Sequence, residues 1–165
     1  MEFNNIDSSN YNLLKIFLTN VPSIKEIDDD IISNAIIALD NNKIVGCISY
    51  EEYGLKGLIR YFIFKNIPNS MTCEYLFNNL ETKIMEKGLK EIIGIAFDEI
   101  TKDLFINLGF KEVDNDRIYI DETKLEKSKF KNSTFLSKNL NWVEKKWKND
   151  IIINEGSKGE TQCIN

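Results

Sequence analysis

Residues 35–64, AIIALDNNKIVGCISYEEYGLKGLIRYFIF, limit the possible folds more than any other stretch of the chain. The apolar runs read as strands, and very short turns separate them. Asn41-Asn42 suits a two-residue hairpin, because asparagine tolerates positive φ. Gly54-Leu55-Lys56-Gly57 makes a second turn, and LIRYFIF is the next strand. Strands joined by so few residues must lie antiparallel. The expectation is an antiparallel meander of three strands.

Helical patterns flank this meander. Residues 8–20 place Leu13, Leu14, Phe17 and Leu18 at helical spacing behind a serine cap. Ser23 to Glu26 reads as a capping box opening a second short helix. Its Asp28-Asp29-Asp30 run lacks the alternation and glycine of a calcium loop, which favours a solvated helical face. Thr72 to Lys87 predicts a helix with Leu76, Leu80 and Ile84 on one stripe and Gly88 as its C-cap. EIIGIAF is a short buried strand. Asp98 caps a helix in which Ile100, Leu104 and Leu108 share a face, and Gly109 ends it. Phe110–Val113 and Arg117–Ile120 read as strands, and Thr134–Leu140 is a candidate for one more. The order ααβββαβαββ defines an α/β (α+β) fold, with one mixed, mostly antiparallel sheet and helices on both faces. Residues 1–140 are expected to form a single domain. Residues 141–165 are expected to be an extension, amphipathic at first and mobile at the end. Trp142 and Trp147 either engage a partner or pack on the domain's own surface, and the second is favoured.

Composition narrows the function. A net charge of −5 argues against nucleic acid as a partner. No apolar run approaches the roughly 20 residues that cross a bilayer. The N-terminal MEFNNIDSSN lacks the basic and apolar regions of a signal peptide, so the cytoplasm is the expected location. There is no histidine. Ser-His-Asp and Cys-His triads and histidine metal sites are therefore excluded, and no metal is called for. Acid–base work falls to carboxylates, Lys, Tyr, Cys, water or backbone. Cys47, Cys73 and Cys163 suit neither a disulfide framework nor a zinc site. Cys47 reads as a small core residue. Cys73, at a helix N-terminus, has either a lowered pKa or a structural role, and without a base beside it the structural role is favoured.

The element order, together with Asn107-Leu108-Gly109-Phe110 closing the last helix, resembles the GCN5-related N-acetyltransferases (GNAT) over about residues 10–140. Glu51-Glu52-Tyr53-Gly54 followed by Leu58-Ile59-Arg60 is similar to the hairpin and strand of small amino-acid acetyltransferases found with arsenic-resistance genes. The resemblance implies acetyl-CoA as co-substrate and a small-molecule amine as acceptor. Backbone groups around Phe62, Ile63 and Phe64 would bond the pantetheine and polarise the thioester. The pyrophosphate would rest on the turn at Ser70, Met71 and Thr72. Family members also pair through sheet edges or exchange C-terminal strands, which makes a homodimer possible.

Departures from the family bear on whether the chain is an enzyme. GNAT proteins build the phosphate turn from Arg/Gln and glycines. Here Pro68, Asn69, Met71 and Cys73 stand in those places, and Glu74 adds negative charge. Glycines matter there because a Cβ crowds phosphate oxygens away from N–H groups. Lys65 and the hydroxyls of Ser70 and Thr72 offer a weaker hold. The tyrosine that protonates the leaving thiolate in many members is Phe105 here. Phe130-Lys131 occupies the region of a Cys-Pro pair in the arsenic-linked relatives.

Individual residues carry paired readings. Glu51 takes a proton from the amine or binds its ammonium, or else it is an exposed strand-end carboxylate. Arg60, on an apolar strand, needs an anion: an internal carboxylate such as Glu51, or that of a substrate. Tyr53, with Tyr50 and Tyr61, lines the acceptor pocket or belongs to the core. Acetyl transfer to a small amine is the leading reading. The rival is an inactive binding or interaction domain that kept the fold and lost acetyl-CoA affinity.

Overall fold

A computed structural model describes residues 1–120 and 122–140, and the backbone of 151–153. The chain forms two compact units, one of residues 1–51 and 59–82, the other of 52–58 and the described residues from 83 onward.

In the first unit the meander appears as expected. Strand β2 (Ile36–Asp40) turns into β3 (Lys43–Tyr53) through Asn41 and Asn42, at φ +47° and +60°. Both central residues of this turn are left-handed, which matches the twist of the flanking strands. Strand β4 (Lys56–Phe64) follows after Gly54, at φ +55°. An unforeseen strand, β1 (Glu2–Asn5), pairs antiparallel with β2 from Glu2↔Leu39 to Asn5↔Ile36. Helix α1 (Tyr11–Thr19) buries Leu14 and Leu18. The serine cap expected for it is absent: the Asp7 carboxylate instead accepts from the backbone of Ser9 and Asn10. The Ser23–Glu26 capping box starts no helix either. Helix α2 (Asp29–Ser33) begins later, where Asp28 accepts from the Asp30 N–H at 2.9 Å. Leu14, Leu18, Ile32, Ile37 and Cys47 form one core cluster, joined by the half-buried Tyr61 and Ile63. Helix α3 (Ser70–Glu86) buries Cys73, Leu76, Phe77 and Leu80 within this unit.

In the second unit the first residues of β4 pair in parallel with β5 (Glu91–Ala96), from Lys56↔Glu91 to Leu58↔Ile93. A buried ion pair between Lys56 and Glu91 closes the start of this ladder. β5 pairs antiparallel with β9 (Thr134–Asn139), and β9 with β6 (Lys111–Glu112). Gly88, at φ +77°, ends α3. Helix α4 (Glu99–Asn107) starts where Asp98 accepts from Thr101 N–H at 2.7 Å, as its sequence announces. Its buried face is not the Ile100 stripe. Ile100 is exposed and Phe105 is buried instead. The sheet is also not one. Strands β7 (Ile118–Ile120), β8 (Thr123–Lys124) and β10 (Ile151–Ile153) form a second, three-stranded sheet in the order β10-β7-β8. Its β10 comes from the segment expected to be an extension, and it runs parallel to β7. Trp142 and Trp147 lie outside the described residues. The fold class is mixed α/β with mostly antiparallel pairing and, among the described residues, four α-helices.

Candidate active site

Strand β4 positions most of the expected site. Its parallel ladder with β5 stops at Leu58, while the strand itself continues to Phe64. Among the described residues no further strand register follows on that edge beyond Leu58. The opposite edge is held by β3, with Lys65 N–H donating to the Val45 carbonyl at 2.9 Å.

Within β4, Tyr61 has φ +48°. A bulky residue in the left-handed region inside a strand marks a bulge and costs of order 1–3 kcal/mol. Its side chain is anchored so that this conformation persists. The hydroxyl accepts from the Asp28 N–H at 3.1 Å, and the ring packs against the first core cluster. Its carbonyl accepts from the Cys47 thiol at 3.2 Å. Nothing in the sequence signals this bulge, since aromatic residues ordinarily favour regular strand.

On either side of Tyr61 the expected residues separate by role. Glu51, near the end of β3, and Arg60 form an ion pair at 2.8 Å, both partly open to solvent. The anion beside Arg60 is therefore Glu51. Tyr53 falls on the core side of its two readings: it is 4% exposed and packs with Leu58, Ile93, Ile118 and Phe135. Tyr50 is fully buried as well. Phe62 stacks edge-on against Phe64 and Phe77, at 5.7 and 5.3 Å between centroids. Phe64 lies over Gly46, where a Cβ would come within 2.3 Å of its ring. Gly46 is thus the residue that lets Phe64 seat, a role the sequence reading missed. The Ile63 side chain joins the α1-side cluster.

The turn before α3 is organised by Asn69. Its side-chain oxygen accepts from Thr72 N–H at 2.8 Å, and its carbonyl accepts from Cys73 N–H at 3.1 Å. Asn69 is thus a helix N-cap, occupying a backbone donor that an incoming anion would otherwise use. An asparagine immediately before a helical pattern is a readable cap signal. Ser70 is exposed and Thr72 half-buried. Met71 is 77% and Ile67 98% exposed, so the rim of this turn is apolar. Cys73 has no lowered pKa: burial and the neighbouring Glu74 push its thiol up. Lys65 holds its ammonium over the Phe17 ring, 5.7 Å from the centroid.

At the end of α4, Gly109 sits at φ +88° and Phe110 N–H reaches back to the Phe105 carbonyl at 3.0 Å. This is a left-handed helix end of the kind glycine supplies. The Phe105 ring lies over Gly94, 2.8 Å from where a Cβ would stand.

No protein-family model matches this chain, and no curated protein matches it. Solved structures do. N-acetylglutamate synthase from Neisseria gonorrhoeae, complexed with coenzyme A and N-acetyl-glutamate, superposes with a TM-score of 0.63 at 15% identity over 85% of this chain. The chain spans only about a third of that protein, 35% of its length. The aminoglycoside 6'-N-acetyltransferase from Enterococcus faecium gives 0.62 at 16% identity, over 88% of this chain and 100% of the other. A GNAT-family acetyltransferase from Staphylococcus aureus Mu50 gives 0.59 at 16% identity, over 85% and 99%. The fold is that of the GNAT acetyltransferases.

Proposed function

We propose that this chain transfers the acetyl group of acetyl-CoA to the amine of a small molecule, with an amino acid as the favoured acceptor. The observation that carries this reading is the edge of β4 beyond Leu58, which continues to Phe64 after its pairing with β5 has ended. Pantetheine contains amides that hydrogen-bond to a free strand edge much as another strand does. The backbone of Phe62, Ile63 and Phe64 would take them, with a strand N–H polarising the thioester carbonyl. The bulge at Tyr61 redirects the backbone groups next to this stretch.

Glu51 and Arg60 supply two charges of opposite sign at 2.8 Å, partly open to solvent. An amino acid is their complement. Its carboxylate would displace Glu51 from the Arg60 guanidinium, and its amine would then face the Glu51 carboxylate. This pairing favours the amino-acid acetyltransferases associated with arsenic resistance among possible relatives. In the reaction the amine nitrogen forms the C–N bond with the thioester carbonyl carbon. Glu51 accepts the proton lost from nitrogen, directly or through one water. The C–S bond then breaks, and the coenzyme thiolate leaves with the acyl carbon fully transferred. Thiolate is a tolerable leaving group, which suits a site with Phe105 in place of a tyrosine acid.

The pyrophosphate is held weakly in this reading. The Ser70 hydroxyl and the first N–H groups of the helix would take it, while Asn69 takes the Thr72 N–H and the Thr72 hydroxyl donates to the Met1 sulfur at 3.9 Å. The same turn favours a second reading, a domain that kept the fold without cofactor affinity. Pro68 supplies no N–H, and the exposed Ile67 and Met71 are suited to an apolar contact rather than to phosphate.

Calorimetric titration with acetyl-CoA, with dephospho-CoA as control, separates the two. Micromolar binding supports the transferase, and an amino-acid screen for thiol release follows. Absence of binding up to millimolar concentration overturns it in favour of the binding domain.

A further inference from the structure

The first unit contains an open cavity of about 740 Å³, lined by α1-side residues together with Ile63, Phe64 and Lys65 from the end of β4. It lies between α1, the segment after it and the strand ends at Lys43 and Lys65; Glu51 and Arg60 do not line it. Leu13, Phe17, Ile44 and Ile63 give it apolar walls. The size is within the range of roughly 300–1,000 Å³ typical of small-ligand pockets, and the lining has their character: mostly apolar, with few polar groups.

Its charge is one-sided. The ionisable side chains in the lining are Lys43 and Lys65, with no Asp or Glu, although the chain as a whole carries 26 acidic against 21 basic residues. Neither lysine forms an ion pair among the described residues. Lys65 is held over the aromatic wall by its contact with the Phe17 ring. That contact places a cation where an apolar chain and an anionic head would meet. On the helix side, Leu13 is 51% and Ile16 61% exposed. Large aliphatic side chains left open beside an apolar groove gain from being covered.

We propose that this cavity binds a free anionic amphiphile, specifically a medium-chain fatty carboxylate. The aliphatic chain lies along Leu13, Phe17, Ile44 and Ile63, and the carboxylate faces Lys43 and Lys65. The cavity shares Ile63 and Phe64 with the strand proposed for pantetheine, but fatty-acid binding is read directly, so its test does not depend on finding a donor or acceptor.

The experiment is calorimetry of the full chain with octanoate, decanoate and dodecanoate, each kept below its micelle concentration. Binding is expected to tighten about tenfold for every two carbons, as burial of methylene groups predicts. 1-Octanol, which lacks the charge, is expected to bind at least tenfold more weakly than octanoate. A Lys43→Glu/Lys65→Glu double variant is expected to lose at least tenfold for decanoate and nothing for 1-octanol. Both lysines are at the surface, and circular dichroism checks that the variant is folded. A Leu13→Glu/Ile16→Glu variant, also at exposed positions, is expected to weaken all of these ligands. The proposal is overturned if decanoate fails to bind below 1 mM, roughly −4 kcal/mol. It is equally overturned if the lysine variant binds as tightly as the wild type, or if decyltrimethylammonium binds as well as decanoate. Binding to anionic phospholipid vesicles without binding to monomeric decanoate overturns it too.

Discussion

Cys47 shows how one buried side chain links local structure to solution behaviour. It is fully buried in β3, and burial pushes its thiol up from 9.0 to about 12. In the unfolded chain the thiol ionises near its ordinary value. Between these two values the unfolded state binds fewer protons than the native state, so stability falls as pH rises. Below pH 9 the contribution is complete, and it is lost progressively up to about 12. Titration of one proton gives a slope of about 1.4 kcal/mol per pH unit. The stability difference between wild type and Cys47→Ala, from urea unfolding at each pH, should therefore shrink by about that amount between roughly pH 9.5 and 10.5. Phe105 makes a second case. The resemblance to the acetyltransferases sets it where many of them have a tyrosine acid, but gives no reason why the ring stays apolar. Its tip lies within 2.8 Å of the position a Gly94 Cβ would take, in a 2% exposed site. A Phe105→Tyr variant should lose roughly 1–3 kcal/mol in urea unfolding, the cost of burying a hydroxyl without a prepared partner.

At the scale of elements, what the sequence makes legible depends on how local the determining forces are. The Asn41-Asn42 turn, the Asp98 cap and the glycine ends of α3 and α4 are set by a few neighbouring residues, and all are found where expected. The Ser23–Glu26 box failed because its capping pattern competed with Asp28. Asp28 caps the helix that does form, accepting from the Asp30 N–H, and its own N–H donates to the Tyr61 hydroxyl, 33 residues away. The same distinction applies to the site. The Glu51–Arg60 pair was legible as one of two readings, because a guanidinium on an apolar strand calls for an anion, internal or from a substrate. The Tyr61 bulge was not, since its cause is tertiary. In the proposed function the turn before α3 bears most directly on cofactor affinity. Replacing Pro68 by Arg and Met71 by Gly restores a cation and a backbone that phosphate oxygens approach closely. One charge-assisted hydrogen bond contributes about 1.5–3 kcal/mol. The Pro68→Arg/Met71→Gly variant should bind acetyl-CoA at least tenfold more tightly than wild type in calorimetry. Unchanged affinity would count against a working β4 edge.

At the scale of the whole molecule, the strands that the sequence does not announce are those whose identity comes from a distant partner. β1 carries only Phe3 as a large apolar residue, and it is a strand because β2 lies beside it. β10 pairs with β7 from Ile151↔Ile118 to Ile153↔Ile120, across more than 30 residues of sequence. Isoleucine favours strands, but no local signal names the partner. This pairing has a measurable consequence, because Ile118 and Ile120 of β7 belong to the core of the second unit. A chain ending at Leu140 loses β10 and leaves that edge of β7 without its ladder. A few backbone hydrogen bonds at about 0.5–1.5 kcal/mol each set the expected loss at roughly 2–3 kcal/mol in urea unfolding. The bare edge should also raise the tendency to self-associate, visible in light scattering. Residues assigned to acetyl-CoA lie between Phe62 and Thr72, within the first unit. Acetyl-CoA affinity should therefore stay within about twofold of the full chain, roughly 0.4 kcal/mol. Loss of stability with retained affinity would mean that β10 serves the fold. Loss of affinity at unchanged stability would instead assign the C-terminal segment to the site.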